Sequence, residues 1–137
     1  MEQKIIVKAI IEILGLPKEH VEESIKKVVE TLKERFKVKE SKIYESQEVQ
    51  SGKYKLWTAF LETEIQIEKY TDLISLCFDF MPSSIEILEP LELKMKSTDY
   101  EALINDLIAK LHQYDMVLKK LNAENRVLKQ KSTSSSS

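Results

Sequence analysis

Apolar residues alternate with polar ones along two stretches of the chain in the pattern of half-buried β-strands. In residues 4–14 every second side chain is apolar, and some of the side chains between them are apolar as well. Residues 54–67 alternate more strongly and include Trp57 and Phe60 among many β-favouring residues. We therefore predict that these two stretches are the central strands of a sheet, each with one face in the core.

Two further stretches have strand patterns with features of a sheet edge. Residues 38–49 are rich in charged side chains, and charge on an edge strand discourages pairing with other molecules. Residues 84–95 have apolar side chains at even spacing, but Pro90 lacks the N–H group that a central strand needs. A Ser-Gly turn at residues 51–52 predicts a hairpin between the first of these edges and the strong central strand.

Between the strands, apolar residues recur at the three- and four-residue spacing of amphipathic helices. Pro17 suits the first turn of one helix, whose apolar stripe consists of Val21, Ile25, Val28, Val29, Leu32 and Phe36. A second helix is predicted from about residue 69 onward and ends before Pro82. Its inner face is predicted to consist of Tyr70, Leu73, Ile74, Cys77 and Phe80 or Met81.

The elements follow the order strand, helix, strand, strand, helix, strand, which is the split βαβ arrangement of ferredoxin-like folds. Right-handed crossovers then place the first and third strands in the middle of the sheet and the others at its rims. The two most apolar strands are the ones that this topology places in the middle, so pattern and topology agree. We predict an α+β fold: a ferredoxin-like βαββαβ antiparallel sheet with two helices over residues 1–96, followed by a long C-terminal coiled-coil helix.

Residues 97–131 have the pattern of that coiled-coil helix. Asp99 and Glu101 lie in its first turn, where the helix dipole favours acidic side chains. Beyond them, apolar residues recur at alternating spacings of three and four, the a and d positions of a heptad repeat. We predict that these positions form a homodimer interface, here called the seam, which consists of Ile104, Leu107, Leu111, Tyr114, Leu118, Leu121, Asn125 and Leu128. The small polar residues 132–137 are predicted to be a disordered tail.

Residues in and beside the seam favour a parallel dimer. Asn125 at an a position is tolerated there because the two copies can hydrogen-bond each other, although it can also be a solvated residue near a frayed end. The flanking g and e positions would pair Lys110 with Asp115 and Glu124 with Lys129. Each exposed pair contributes only about 0.2 to 1 kcal/mol, so these pairs select orientation more than they hold the dimer together.

The alternative is a helix that folds back along its own domain and meets no partner. Leu103, Ile108 and Val117 lie outside the seam and broaden the apolar surface of the helix, and we expect its first half to pack on the domain. The second face of the sheet, which includes Ile10 and Phe60, also needs cover. That cover would come from this helix or from the sheet of a second subunit.

Composition limits the classes of partner and of site. The 137 residues include 21 basic and 23 acidic side chains, and the net charge of −2 produces no overall attraction to nucleic acid or to an anionic membrane. The single cysteine, Cys77, excludes an internal disulfide and a cysteine-based zinc site, and it suits a reducing compartment. The apolar runs near the N-terminus are far shorter than the ~20 residues of a membrane helix, and no signal-peptide layout is present. We expect a cytoplasmic protein that has no membrane contact.

The sequence contains no recognisable constellation of catalytic or ligand-binding residues. His20 and His112 are far apart and are expected at the surface, and Cys77 has the apolar neighbours of a core thiol. The glutamates alternate with apolar residues on strands, which is typical of a solvated face and not of paired catalytic carboxylates. We therefore predict that the protein is not an enzyme and uses no metal or cofactor.

Two surfaces are candidates for binding RNA. Tyr54 and Phe60 share one face of the third predicted strand, but Glu62 and Glu64 follow them on that face and disfavour base stacking. The C-terminal helix ends in a basic patch, which a parallel dimer would double. This candidate contact for phosphate or an acidic partner consists of Lys119, Lys120, Arg126, Lys129 and Lys131. The simpler explanation is that cations suit the C-terminus of a helix.

Two segments of the second half of the chain resemble small uncharacterised archaeal proteins. They are residues 80–90, FMPSSIEILEP, and residues 106–115, DLIAKLHQYD. The resemblance implies a provenance and carries no functional residues, so no role transfers from it.

Three functions agree with these patterns. The leading hypothesis is a non-catalytic dimeric interaction or scaffold protein, in which the coil holds two domains together and an unidentified protein partner docks on them. The first alternative is an RNA- or ribosome-associated factor that uses the basic helix end. The second alternative is a regulatory domain that binds a small ligand between paired sheets, as some ferredoxin-like modules do.

Overall fold

The computed structural model describes residues 4–135, which form five strands and three helices. In chain order the elements are β1 (Ile5–Gly15), α1 (Lys18–Arg35), β2 (Lys37–Ile43), β3 (Gln47–Ser51), β4 (Tyr54–Ile67), α2 (Tyr70–Phe80), β5 (Ser84–Glu89) and α3 (Ser97–Ser135). The chain divides between Lys96 and Ser97 into two compact units. We call the first unit the head, and the second unit contains α3.

All strand pairs of the sheet are antiparallel, and the strands lie in the order β2-β4-β1-β5, with β3 also paired to β4. The two central strands pair along the whole of β1, from Ile5 opposite Ile67 to Gly15 opposite Trp57. These strands come from the two most strongly alternating stretches of the sequence. The structure thus confirms a mixed α+β fold with an antiparallel sheet and a long C-terminal helix.

Odd-numbered side chains of the two central strands form the core with residues of α1 and α2. Because successive side chains of a strand point to opposite faces, the apolar groups of the two strands collect on this face, where Thr63 is also buried. The buried apolar residues are Ile5, Val7, Ala9 and Ile11 of β1, Ala59, Leu61, Ile65 and Ile67 of β4, Val21, Ile25 and Leu32 of α1, and Tyr70 and Leu76 of α2. The buried Leu76 was not among the residues predicted for the inner face of α2.

The prediction of one charged edge strand over residues 38–49 is wrong, because the segment forms two strands that both pair with β4. The chain leaves the sheet between Ile43 and Gln47, where Ser46 Oγ donates a hydrogen bond of 2.7 Å to Glu22 Oε1 of α1. β4 is 14 residues long, so two short strands can pair with its successive parts. The edge is thus interrupted beside a side-chain contact with α1, at residues where the sequence pattern has no interruption.

The prediction of a last strand reaching residue 95 is also wrong, because β5 ends at Glu89. Pro90 has no N–H group with which to continue the ladder. Leu91, which continues the apolar alternation of the sequence, is 98% exposed. The strand begins where the Ser83 N–H donates a hydrogen bond of 2.7 Å to the Ile10 carbonyl.

Helix α3 continues to Ser135, beyond residue 131 where the sequence pattern was expected to end. Residues 136 and 137 of the predicted tail lie outside the described residues. Across residues 4–135, none of the helices has both the length and the apolar character needed to cross a membrane.

Candidate dimer interface

The second unit contains a helix of 39 residues, about 58 Å long at 1.5 Å per residue. Its sequence has neither glycine nor proline and is rich in leucine and lysine, both strong helix formers. Asp99 lies in the first turn, as the helix dipole favours. The helix preference of these residues and the heptad repeat, which runs from Ile104 to Leu128, therefore both predict a helix.

All eight residues predicted for the seam lie on α3, where their spacing places them along one side. Leu107 is partly buried, and Asn125 is exposed. The exposed fractions of the other six range from 40% for Ile104 to 63% for Leu128. From residue 111 to residue 132 every described side chain of the helix is exposed. The seam is thus an apolar stripe that is largely accessible to solvent.

Apolar side chains outside the seam are exposed on the same helix. Ile108 and Val117 flank the stripe at e and g positions, as the sequence predicted. Met116 and Val127 lie at f and c positions, away from a two-stranded interface, and they are 70% and 50% exposed. Met116 and Val127 therefore serve as controls for the seam. They lie on the same helix and are similarly exposed, but they do not occupy positions that face a partner helix.

The five predicted basic contacts, Lys119, Lys120, Arg126, Lys129 and Lys131, also lie on α3 and are exposed. Lys119 Nζ contacts Asp115 Oδ2 at 2.9 Å, one turn earlier on the same helix. The hydrogen bond to this carboxylate, followed by the attraction of its charge, raises the pKa of Lys119. Asp115 therefore already has an ion-pair partner within its own chain, and a cross-strand pair with Lys110 would share that carboxylate.

A cluster of polar side chains on the even-numbered face of the central strands was not predicted from the sequence. Tyr44 Oη donates a hydrogen bond of 2.5 Å to Glu62 Oε2, and Lys8 Nζ lies 3.2 Å from Glu62 Oε1. A shallow concavity of about 280 Å³ on this face is lined by Glu40, Lys42, Tyr44, Glu62 and Glu64. The register of the strands explains the cluster, because it places Glu62 opposite Lys42 and Glu64 opposite Lys8.

The family model that matches this chain covers residues 6–132, which is nearly its whole length. The chain belongs to the MJ0538 family. The match includes both segments on which the resemblance to small archaeal proteins rests, and it confirms that resemblance. No curated protein and no solved structure matches the chain. The description of the MJ0538 family names no activity, so function has to be argued from the chain itself.

The remaining candidates for chemistry in this MJ0538 family member are dispersed. His20 and His112 are exposed on different helices. Cys77 is partly buried, and burial raises the pKa of its thiol, which disfavours the reactive thiolate at neutral pH. Among residues 4–135 no three His, Cys, Asp or Glu side chains are grouped so that they could hold a metal ion.

The aromatic residues considered for base stacking differ in exposure. Tyr54 is strongly exposed near the start of β4, whereas Phe60 is only partly exposed. Glu62 and Glu64 follow on the same face, and Glu62 is an ion-pair partner of Lys8. A phosphate backbone laid along this face would meet carboxylates, so the geometry disfavours RNA binding by the sheet.

Proposed function

We propose that this chain is a non-catalytic interaction protein that forms a parallel homodimer through a coiled coil of α3. The observation that carries the proposal is the seam: a heptad stripe along a 39-residue helix, with four of its five leucines 50–63% exposed. Soluble monomers rarely expose contiguous apolar patches of more than a few hundred Å² unless the patch contacts a partner.

The way in which helices obtain their stability also supports a partner for α3. Most helical stability in proteins comes from packing an apolar face and not from intrinsic propensity. Full burial of one leucine or isoleucine contributes about 1.5 to 3 kcal/mol, and the seam contains five leucines and one isoleucine. A second copy of the helix presents the same stripe, so a two-fold pairing buries both stripes at once.

Polar residues at defined heptad positions support the parallel orientation. Two Asn125 side chains at facing a positions can hydrogen-bond each other, and this pairing specifies register at some cost in stability. Glu124 and Lys129 lie at the g and e positions that face each other in a parallel coil. Lys110 and Asp115 occupy the same relation two heptads earlier, where Lys119 competes for the carboxylate.

For the head we propose the ferredoxin-like class. The support is the sheet order β2-β4-β1-β5 with one helix after β1 and another after β4. In this assignment β2 and β3 together take the place of the second strand of that fold. The head then serves as a rigid body that the coil holds in two copies.

The test compares two double variants of the full chain that differ only in heptad position. Leu118→Asp with Leu121→Asp changes the seam, and Met116→Asp with Val127→Asp changes the outer side of the same helix. The two pairs are exposed to a similar extent, 58% and 50% against 70% and 50%, so only a partner at the seam distinguishes them. The mass of each protein is measured by size exclusion with light scattering at several concentrations.

We expect the wild type and the outer-side variant to have the mass of a dimer, and the seam variant that of a monomer. Circular dichroism and Trp57 fluorescence establish that the head of each variant is folded. A wild type that stays monomeric at the highest concentration contradicts the proposal. The same holds for a seam variant that remains dimeric.

A further inference from the structure

Positive charge is concentrated at the end of α3. Residues 119–131, here called the basic end, contain five basic residues and one acidic residue, Glu124, for a net charge of +4. The whole chain has a net charge of −2, so the other 124 residues together have a net charge of −6. The rest of the chain is therefore acidic in sum, and the low net charge of the whole chain hides this asymmetry.

The cations of the basic end surround much of the helix. Lys119 and Arg126 are seven residues apart and lie on the same side, about 10 Å apart along the axis. Lys120 and Lys131 lie roughly 100° further round, since successive residues turn by about that angle. The Lys119 side chain is 77% exposed despite its ion pair with Asp115, so a stronger anion has access to it.

The residues that lie between these cations limit the kinds of molecule that the basic end could bind. Asn122 and Gln130 are exposed and offer amide donors, which together with lysine and arginine are the side chains that contact phosphate and sugar. The leucines of the basic end, Leu121 and Leu128, belong to the seam, so in the proposed dimer they face the second copy and are not available to a membrane. The composition fits a phosphate backbone better than a lipid surface.

We infer that the basic end of α3 binds the phosphate backbone of RNA. Binding of this kind depends on the release of counterions and is independent of base sequence. The choice of RNA over a lipid surface rests on the proposed dimer, although each helix carries a complete basic end. In a parallel dimer two such ends lie side by side and the number of phosphate contacts doubles.

The experiment measures binding of the full chain to a fluorescent single-stranded RNA of about 20 nucleotides, longer than a typical single-strand site. Fluorescence anisotropy is recorded between about 50 and 200 mM salt, where phosphate contacts lose most of their affinity. The test variant reverses three cations, Lys119→Glu, Lys120→Glu and Arg126→Glu. The matched control reverses three exposed cations of α1, namely Lys26→Glu, Lys27→Glu and Lys33→Glu.

Both variants change the net charge equally, so a difference between them reports position and not total charge. We expect the wild type to bind RNA, and the α3 variant to bind at least about tenfold more weakly at low salt. Its plot of log affinity against log salt should be shallower by about 2 per chain, since each lost phosphate contact removes about 0.7. The α1 variant should keep the wild-type slope.

Three results would overturn the inference: a wild type that does not bind RNA at low salt, an α1 variant that loses as much affinity as the α3 variant, or a wild type that binds phosphatidylglycerol vesicles but not RNA. Light scattering on the same samples distinguishes a failure of the dimer proposal from a failure of the RNA-binding proposal. A monomeric wild type that still binds RNA through the basic end would contradict the dimer alone.

Discussion

The carboxylate of Glu62 accepts hydrogen bonds from side chains of two neighbouring segments of the sheet. The hydrogen bond from Tyr44 has the largest effect and the one from Lys8 follows, and together they hold the pKa of Glu62 below its ordinary value of 4.5. The same contacts raise the pKa of Tyr44 and of Lys8, since a carboxylate partner favours their protonated forms. The directions at all three groups agree, so the ionised Glu62 stabilises this face of the head.

Replacing this carboxylate should change the pH dependence of stability. The folded pKa of Glu62 is depressed, so its contribution is complete above the unfolded pKa near 4.5 and is lost as pH falls through the folded pKa. We expect Glu62→Gln to have a lower free energy of unfolding than the wild type at about pH 7 and to approach it at about pH 3. Urea unfolding followed by Trp57 fluorescence measures both values.

Glu64→Gln is the matched control, because it removes an equal charge two residues away on the same face. Glu64 makes the smallest of the contributions that raise the pKa of Lys8, so its replacement should cost less at neutral pH. A deficit of Glu62→Gln that is the same at both pH values would show that the Gln side chain acts through packing and not through charge.

Among the elements, α3 combines a strong helix-forming sequence with one polar residue in its apolar stripe. Asn125 occupies an a position of the proposed coil, between Leu121 and Leu128. A buried asparagine at a single a position specifies register and oligomeric state while it weakens the association. In the proposed coil, α3 would therefore give up some stability in exchange for one defined arrangement.

Replacing Asn125 with leucine should reverse this balance. We expect Asn125→Leu to lower the dimer dissociation constant by at least about tenfold, which corresponds to 1.4 kcal/mol. The variant should also form species larger than a dimer at high concentration, because the register constraint is gone. Sedimentation equilibrium measures both effects.

Gln113→Leu is the control for Asn125→Leu. It makes the same change from an amide to leucine at the c position of an exposed part of the helix. Its association should match that of the wild type. If Asn125→Leu behaves like Gln113→Leu, then position 125 is solvated and does not lie in an interface.

In the whole molecule, the head and the helix obtain stability from different sources. The head buries apolar residues of two strands and two helices in its own core, including Ile5, Leu32 and Leu61. In the proposed dimer, α3 depends on a second copy for much of its packing. The two units should therefore respond differently to protein concentration.

Dilution below the dimer dissociation constant should unfold much of α3 and leave the head intact. α3 contains 39 helical residues against 18 in α1 and 11 in α2, so it supplies more than half of the helical signal. We expect ellipticity per residue to fall by up to about half on dilution, because most helical stability in proteins comes from packing an apolar face. Fluorescence of Trp57, the single tryptophan, should stay constant. Ellipticity per residue that is independent of concentration would contradict a helix stabilised by association.

Strong, uninterrupted periodicity made most of the fold predictable. The bounds of β4 agree with the alternation over residues 54–67, and α1 contains most of the predicted stripe, including the buried Val21, Ile25 and Leu32. The same reasoning failed at the edges of the sheet. Residues 38–49 and 84–95 keep a weak alternation where the chain has already left the sheet, since exposed positions tolerate either pattern.

The candidate functional residues also divide into those that the sequence predicts and those that it does not. The seam and the basic patch lie on one helix, so helical spacing alone predicts which of their members share a side. The cluster around Glu62 joins Lys8 of β1, Tyr44 at the end of β2 and Glu62 of β4, which are far apart in the sequence. Such a cluster depends on strand register, which is set by tertiary packing of the core face.

By itself the sequence determined the type of each long element, its apolar face and the heptad stripe of α3, because these follow from periods of 2 and 3.5 to 3.6 that local spacing encodes. Only the tertiary structure decided where the edge strands break and which polar side chains meet. Ser46 reaches Glu22 and Tyr44 reaches Glu62 across 24 and 18 residues of chain. Contacts at such separations depend on how the strands and helices pack against one another, and no local pattern records that packing.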